Sequence, residues 1–152
     1  PGWNPLIRGV IFGISASHTA SHIYRAILEG VAYGVLNILE IAREAGASIE
    51  SIVAVDGGAK SRLWRQIFAD VTNLRVIRYA SGGDATMADA ILAGKGTGSI
   101  KDFSRIRDWL KNAGENEPDQ VLHKKYAKYY KVYQEIYGHL KQDFENLFNL
   151  KD

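Results

Sequence analysis

The sequence predicts an α/β fold with parallel βα units and a long C-terminal helix. Two short apolar runs, residues 52–55 and 74–79, each lead through a glycine-containing turn into an amphipathic helix pattern. Strand, turn and helix in succession, joined by short loops, are typical of parallel βα units. Near the C-terminus, aromatic residues recur every three to four positions, which predicts one long helix over residues 121–152.

The N-terminal part of the chain predicts a loop, a short strand and a long helix. Residues 1–8 contain two prolines and predict the loop, and residues 10–14 predict the strand. From about residue 18 to residue 45 apolar side chains recur every three to four positions, which predicts a helix. The stripe consists of Ile23, Ile27, Val31, Val35, Ile38 and Ile41. Ala26, Leu28, Ala32 and Leu39 widen this stripe, so we expect the helix to be largely buried.

The two predicted βα units follow this helix. The strand at residues 52–55 leads into a helix that begins at Ser61, and the strand at residues 74–79 leads into one that extends to about Ala93. The core positions of the first of these helices are Leu63, Trp64, Ile67, Phe68 and Val71. The polar residues 112–120 predict a surface linker.

The aromatic stripe of the last helix has two interpretations. It contains Tyr126, Tyr130, Tyr133, Tyr137, Leu140, Phe144 and Leu147. We expect the stripe to dock on the rest of the domain. A coiled-coil homodimer is the alternative, which tyrosine disfavours because it is a poor knob residue.

Composition excludes several function classes. A chain of 152 residues is about one domain long, and 46% apolar residues are enough for a core. A net charge of +2 gives no electrostatic case for nucleic acid or an anionic membrane. The absence of cysteine excludes disulfides, cysteine-ligated zinc and thiol nucleophiles. No apolar run or signal peptide indicates a membrane or an export route, so we expect a cytoplasmic protein. The single methionine, Met87, and the internal character of the first residues suggest a piece of a longer protein.

The most informative motif is the turn Asp56-Gly57-Gly58-Ala59 between a strand and a helix. Such a turn brings backbone N–H groups and a positive helix end together, as nucleotide sites in α/β proteins require. It is not a Walker A loop, because Ala54 and Ala59 occupy the two glycine positions, and no G-x-G-x-x-G fingerprint is present. From the residues alone, the turn either contacts a ligand or only reverses the chain.

Other polar residues have structural interpretations that outweigh catalytic ones. His18 and His22 have the spacing of helical metal ligands, but no third ligand stands out, so capping and packing are favoured. Arg25 and Glu29 are spaced for an ion pair on the helix. Three carboxylates near glycine turns have helix caps and turn bonds as their default roles: Asp56, Asp84 and Asp89.

The segment GVIFGISASHTASHIYRAILE, which begins at Gly9 and ends at Glu29, resembles the second signature of the FGGY carbohydrate kinases. That pattern combines small residues, spaced hydrophobic residues and a closing acidic residue. All its positions fit: Gly9, Ile11, Gly13, Ile14, His22, Ile23, Ala26, Ile27, Leu28 and Glu29. The preceding Trp3-Asn4-Pro5 and Arg8-Gly9 are similar to the family's upstream segment.

Two further segments resemble the same family in the same order. DGGAKSRLWRQIFAD is similar to its adenosine-side loop and following helix, and GGDATMADAILAGKGTG to its last βα unit, although the family usually has Gly where Ala88 stands. The resemblance covers residues 1–111, the later part of the C-terminal domain, with residues 112–120 as a linker and residues 121–152 as a helix packing on the domain. KSRLWRQIFAD looks more like xylulose-type pentulose kinases than glycerol kinases.

The resemblance implies the later part of an actin-like ATPase, ribonuclease H-like C-terminal domain. It implies ATP with Mg²⁺ as cofactors, a sugar bound mainly by the rest of the enzyme, and a catalytic aspartate upstream. No catalytic or metal-binding residue is therefore assigned here, and we expect the chain alone to be inactive. The implied adenosine site consists of Gly57, Gly58, Ala59, Ser61 and Arg62.

The function implied is the ATP-binding portion of a kinase that transfers the γ-phosphate of ATP to a sugar hydroxyl, with a pentulose such as xylulose favoured. One alternative is a non-catalytic actin-like binding or regulatory module that assembles through its C-terminal helix. An unrelated Rossmann-like nucleotide binder is a third possibility, which the missing G-x-G-x-x-G disfavours.

Overall fold

The computed structural model describes residues 4–80 and 85–150. Helices and strands alternate along most of this range. In chain order they are α1 (Ala20–Glu44), β1 (Ser51–Ala54), α2 (Asp56–Ala59), α3 (Arg62–Thr72), β2 (Arg75–Tyr79), α4 (Ala85–Gly96), a 3₁₀ turn (Phe103–Arg105), α5 (Ile106–Trp109), β3 (Asn112–Asn116) and α6 (Gln120–Asn149).

The described strands form a sheet in the order β1-β2-β3. β1 and β2 are parallel, with Ile52 opposite Val76, so the predicted βα unit is present. β3 pairs antiparallel with β2, and Val76 lies opposite Asn116. The sheet is therefore mixed, with β3 at one edge and β1 at the other. The predicted turn at residues 81–84, including Asp84, lies outside the described residues.

Capping residues define the ends of the helices. Ser61 precedes α3, and its side-chain oxygen accepts from the Trp64 N–H at 3.2 Å. Asn73 ends α3 in the left-handed conformation with φ 55°, which asparagine tolerates. Asp119 begins α6 by accepting from the Val121 and Leu122 N–H groups at 2.7 and 3.1 Å. The predicted starts of α3 and α6, at residues 61 and 121, lie within one residue of the observed starts, Arg62 and Gln120, whereas α6 ends at Asn149 and not at the predicted residue 152.

The core lies where α1, α3 and α6 meet. Its buried members are Leu28, Ala32, Tyr33, Leu36, Ile67, Val71, Tyr126 and Tyr130. The tyrosine stripe of α6 thus docks on α1 and α3, and the Tyr33 ring lies 5.8 Å from that of Tyr130 and 5.4 Å from that of Tyr133. The homodimer alternative involves a second chain and stays a prediction.

The expectation that α1 is largely buried is wrong, because its buried residues, Leu28, Ala32, Tyr33 and Leu36, lie on one side of the helix. Ile27, Val31 and Ile38, which belong to the predicted stripe, are exposed. The buried face contains Leu28 and Ala32, which the widened stripe includes, and Leu36, which it does not. This face is rotated by about 100° from Ile27 and Val31, since a helix has 3.6 residues per turn. α1 has apolar residues around most of its circumference, so periodicity alone does not identify the side that meets α3 and α6.

Two further predictions about secondary structure are wrong. Residues 10–14 form no strand, and their apolar side chains are exposed because no neighbouring strand within the described range pairs with them. Residues 112–116 form β3 rather than a linker. This polar segment pairs with β2 at the sheet edge and buries Asn116, a role that its composition does not indicate. In the part of the chain that the structure describes, no helix is long and apolar enough to cross a membrane.

Candidate functional site

The turn between β1 and α3 is a single helical turn, α2, rather than an open loop. Asp56 begins it with φ 63°, a left-handed conformation that aspartate adopts more readily than most residues. The Lys60 N–H donates to the Gly57 carbonyl at 3.2 Å, and the Ser61 N–H donates to the Gly58 carbonyl at 3.1 Å. The turn is thus internally hydrogen-bonded at the carboxyl end of β1, where α/β proteins bind ligands.

The two glycines of this turn have different surroundings. Gly57 is exposed, and a Cβ atom placed there would meet nothing within 4 Å. A Cβ atom at Gly58 would lie 2.5 Å from Cζ3 of Trp64. The absence of a side chain at position 58 is therefore required by packing inside the chain, and the unobstructed face of the turn is at Gly57.

The remaining predicted site residues differ in their exposure to solvent. Ala59 is buried, whereas Ser61 and Arg62 are exposed beside the turn. The Ser61 hydroxyl accepts from the Trp64 N–H at 3.2 Å, so it caps α3 whether or not a ligand is present. Gly57, Ser61 and Arg62 are hence the predicted residues with surface available to a ligand.

A buried arginine, Arg65, forms a hydrogen bond to the turn, and the sequence analysis did not identify it. The Arg65 guanidinium donates through Nη1 to the Ala59 carbonyl oxygen and through Nε to Oδ1 of Asn116 at 2.9 Å. Burial lowers the Arg65 pKa from its usual value, and the positive charges of Arg78 and Arg62 lower it further. The local pattern gave no signal for it, because Arg65 falls outside the apolar stripe Leu63, Trp64, Ile67, Phe68 and Val71 of the predicted helix.

Arg65 is one end of a chain of polar contacts. Asn116 Nδ2 donates to Oε1 of Gln66 at 2.8 Å, and Gln66 Nε2 donates to Oδ1 of Asp70 at 2.8 Å. The same Asp70 oxygen accepts from the backbone N–H of Asp119, the N-cap of α6, at 2.9 Å. The polar residues of WRQIFAD therefore connect the turn to β3 and to the start of α6.

The histidine pair has a structural role. His22 Nδ1 accepts from the Thr19 N–H at 3.2 Å at the start of α1, and His18 Nδ1 accepts from the Ser15 N–H at 2.9 Å. In residues 4–80 and 85–150, no group of three His, Cys, Asp or Glu side chains is arranged to hold a metal ion.

The predicted Arg25–Glu29 ion pair is present and includes a third residue. Arg25 Nε lies 2.8 Å from Oε1 of Glu29. The Tyr126 hydroxyl donates to that same oxygen at 2.8 Å and accepts from Arg25 Nη2 at 2.9 Å. Burial raises the Tyr126 pKa, since it disfavours the phenolate. Glu29 thus links α1 to α6 through a structural ion pair.

A separate groove of about 420 Å³ lies between α1, α3 and α6. Its walls include Glu40, Arg43, Thr72, His123 and Lys131, and none of its lining residues belongs to the turn at Asp56–Ala59. The candidate ligand surface at Gly57 and this groove are therefore different places on the molecule.

The strand–turn–helix geometry and the mixed sheet define an α/β domain with its candidate site at the carboxyl end of a parallel strand. The sequence model of the FGGY family of carbohydrate kinases, C-terminal domain, matches residues 1–94. The chain belongs to this family of carbohydrate kinases.

Relatives with two different substrate names match the chain. It is 38% identical over 143 residues to a xylulose kinase of Staphylococcus epidermidis, covering 93% of the chain and 29% of that protein. It is 38% identical over 130 residues to a glycerol kinase of Saccharolobus islandicus, covering 85% of the chain and 26% of that protein. The chain thus spans less than a third of the length of these relatives.

Solved structures of kinases share the fold. A ligand-bound xylulose kinase from Lactobacillus acidophilus superimposes with a TM-score of 0.84 at 23% identity, over 95% of the chain and 30% of that structure. A xylulose kinase from Rhodospirillum rubrum gives a TM-score of 0.77 at 27% identity, over 93% of the chain and 29% of that structure. The actin-like α/β fold class predicted from the sequence is confirmed.

Proposed function

We propose that this chain is the ATP-binding portion of a carbohydrate kinase that transfers the γ-phosphate of ATP to a sugar hydroxyl. The observation that carries the proposal is the turn Asp56–Ala59 at the carboxyl end of β1, with open space over Gly57, in a chain of the FGGY family. Phosphoryl transfer depends mainly on positioning and charge stabilisation. A surface that holds ATP therefore contributes to the rate without supplying a base.

The proposed adenosine surface consists of Gly57, Gly58, Ala59, Ser61 and Arg62. The bare backbone at Gly57 allows a flat base to approach closely, and Arg62 lies exposed beside it. Gly58 and Ala59 serve indirectly, because Trp64 covers the first and the second is buried. Mg²⁺ would accompany the ATP phosphates, and we assign no Mg²⁺ ligand to this chain.

Substitution of Gly57 tests the site. In the full-length enzyme, we expect Gly57→Val to raise the KM for ATP several-fold, because the new side chain occupies the ligand surface without meeting a neighbour within 4 Å. The KM for the sugar should change little. Gly138→Val is the matched control, since Gly138 is exposed on α6 and also has nothing within 4 Å. An unchanged KM for ATP in Gly57→Val would remove the turn from the site.

The proposed sugar is a pentulose such as xylulose. The relatives named xylulose kinase and glycerol kinase match at the same 38% identity, so overall identity does not separate the two substrates. The helix KSRLWRQIFAD supports the pentulose by its resemblance to xylulose-type enzymes. A substrate panel on the full-length enzyme tests this proposal: we expect the highest kcat/KM with xylulose, and a preference for glycerol would contradict it.

We also propose that the 152-residue chain is inactive by itself, because the family's catalytic aspartate is supplied by another part of the enzyme. A coupled assay of ADP release should show no sugar-dependent turnover. The alternative of a regulatory module that assembles through α6 has less support, since Tyr126 and Tyr130 are buried against α1 and α3. Sugar-dependent ADP release by the chain alone would overturn the proposed division of roles.

A further inference from the structure

Arg65 contacts the last residue of the turn and is buried, whereas Gly57 in the same turn is exposed. Its guanidinium donates to the carbonyl oxygen of Ala59, the last residue of α2, and to the side chain of Asn116 on β3. The side chain is only 7% exposed, and Asn116 only 5%. A planar guanidinium with several donors in a fixed fork can hold both acceptors at once, which an ammonium group cannot do.

The partners of Arg65 are unusual for a buried cation. No carboxylate whose side chain the structure describes lies within ion-pair distance of Arg65, and both ion pairs found among those side chains involve other residues. Buried charges normally have a counter-charge, because removing a charge from water is unfavourable. In place of a counter-charge, Arg65 has two neutral acceptors, the carbonyl oxygen of Ala59 and the side-chain amide oxygen of Asn116. A cation with only neutral acceptors contributes little as an ion pair, which indicates a geometric role.

The acceptors of Arg65 are themselves held in place. Asn116 is fixed by its bond to Gln66, and Gln66 is fixed by Asp70 and by the Glu117 carbonyl at 2.8 Å. A Cβ atom at Gly114 would lie 3.3 Å from Nη2 of Arg65, so β3 also limits the guanidinium sterically. The carbonyl of Ala59 is therefore connected to the sheet edge through a rigid set of contacts.

We propose that Arg65 is a positioning residue for ATP: it holds the turn Asp56–Ala59 in the conformation that binds the nucleotide by anchoring the Ala59 carbonyl to β3. The proposal rests on the nucleotide role of this turn. Arg65 does not touch the ligand. Its effect passes through Ala59, so loss of the fork displaces Gly57 and Gly58 relative to α3.

The test is steady-state kinetics of Arg65→Lys in the full-length enzyme. Lysine keeps the charge but cannot bridge both acceptors. We expect the KM for ATP to rise by roughly 10-fold, which is less than the roughly 100-fold that a misplacement of about 1 Å can cost. The KM for the sugar should stay near that of the wild type, whereas the melting temperature without nucleotide should fall by a few degrees because one buried acceptor loses its donor. A general loss of structure would instead raise the KM for the sugar as well.

The matched control is Arg75→Lys. Arg75 also joins β2 to β3, through Nη1 and Oε1 of Glu115 at 2.8 Å, and its ion pair among the described residues is with that strand and not with the turn. We expect no change in the KM for ATP. A wild-type KM for ATP in Arg65→Lys would overturn the proposal, because charge alone would then be sufficient.

A second variant covers the case in which Arg65→Lys fails to fold. Asn116→Ser shortens the anchor on β3 and leaves the turn and Arg65 unchanged, and we expect a smaller rise in the KM for ATP with the sugar KM constant. No rise would contradict the proposal. The Gly57→Val variant distinguishes failure of the proposed nucleotide site from failure of the proposed role of Arg65. If it raises the KM for ATP while Arg65→Lys and Asn116→Ser do not, the nucleotide site stands and the positioning role is wrong. If Gly57→Val has no effect, the site itself is wrong.

Discussion

The ring of Trp64 lies so close to Gly58 that a Cβ atom at position 58 would be 2.5 Å from Cζ3 and 2.9 Å from Cε3. Trp64 belongs to the first turn of α3, and its ring also packs against Phe68 with a centroid distance of 5.6 Å. The glycine of the turn and the tryptophan of the following helix therefore form one packed unit. This contact connects the shape of the candidate site directly to the core.

The first prediction concerns Gly58→Ala. The added methyl group has no room beside Trp64, so we expect a loss of about 1–3 kcal/mol in the free energy of unfolding, the usual cost of overpacking. Gly57→Ala, one residue away in open space, should change this free energy by less than about 0.5 kcal/mol. Urea unfolding of both variants provides the measurement. Equal effects at the two positions would show that the ring does not constrain Gly58.

The second prediction concerns Tyr126→Phe. The Tyr126 hydroxyl donates to Glu29 and accepts from Arg25, so its removal takes two charge-assisted bonds from the contact between α1 and α6. We expect a loss of roughly 1–3 kcal/mol in the free energy of unfolding. Tyr129→Phe is the control because Tyr129 is exposed on the same helix. The prediction fails if the two variants unfold at the same urea concentration.

The third prediction concerns the alkaline limit of stability. Burial, followed by the hydrogen bond to Glu40, raises the pKa of Tyr130 to about 12 from 10.0. The folded state therefore favours the neutral phenol. This contribution is complete below about pH 10, and it is lost as the pH rises from about 10 towards 12.

Tyr130→Phe tests this dependence, because phenylalanine does not titrate. We expect wild type to exceed the variant in free energy of unfolding near pH 8, and the difference to shrink as the pH rises above about 10. Urea titrations at several pH values measure that difference. A constant difference across the range would contradict the raised pKa.

The fourth prediction concerns Asp70→Ala. Asp70 is 1% exposed, and one of its oxygens accepts from Gln66 and from the N–H of Asp119. Alanine would remove the side-chain acceptor of the Asp119 N–H and one of the two acceptors of Gln66 Nε2, so we expect a loss of about 1–3 kcal/mol in the free energy of unfolding. Asp143→Ala, on the exposed side of α6, should have little effect. A small effect of Asp70→Ala would show that water replaces the carboxylate.

Much of the fold follows from short-range patterns. The starts of α3 and α6 are predictable because the N-cap residues Ser61 and Asp119 accept from backbone N–H groups within three residues of themselves. The two parallel strands are predictable because each is a short apolar run next to a turn. The Arg25–Glu29 ion pair is predictable because residues four apart are neighbours on a helix. The family signature spans a continuous segment, so it too is visible without coordinates.

Packing determined the features that join distant parts of the chain. Which side of α1 is buried depends on where α3 and α6 lie, and its own residues offer an apolar surface in several directions. The polar segment at Asn112–Asn116 becomes a strand only because β2 presents a free edge. Arg65 reaches an acceptor 51 positions away, and no local pattern encodes that distance. Periodicity and capping act within a few residues, whereas the partner of a buried polar group is selected by the arrangement of the whole domain.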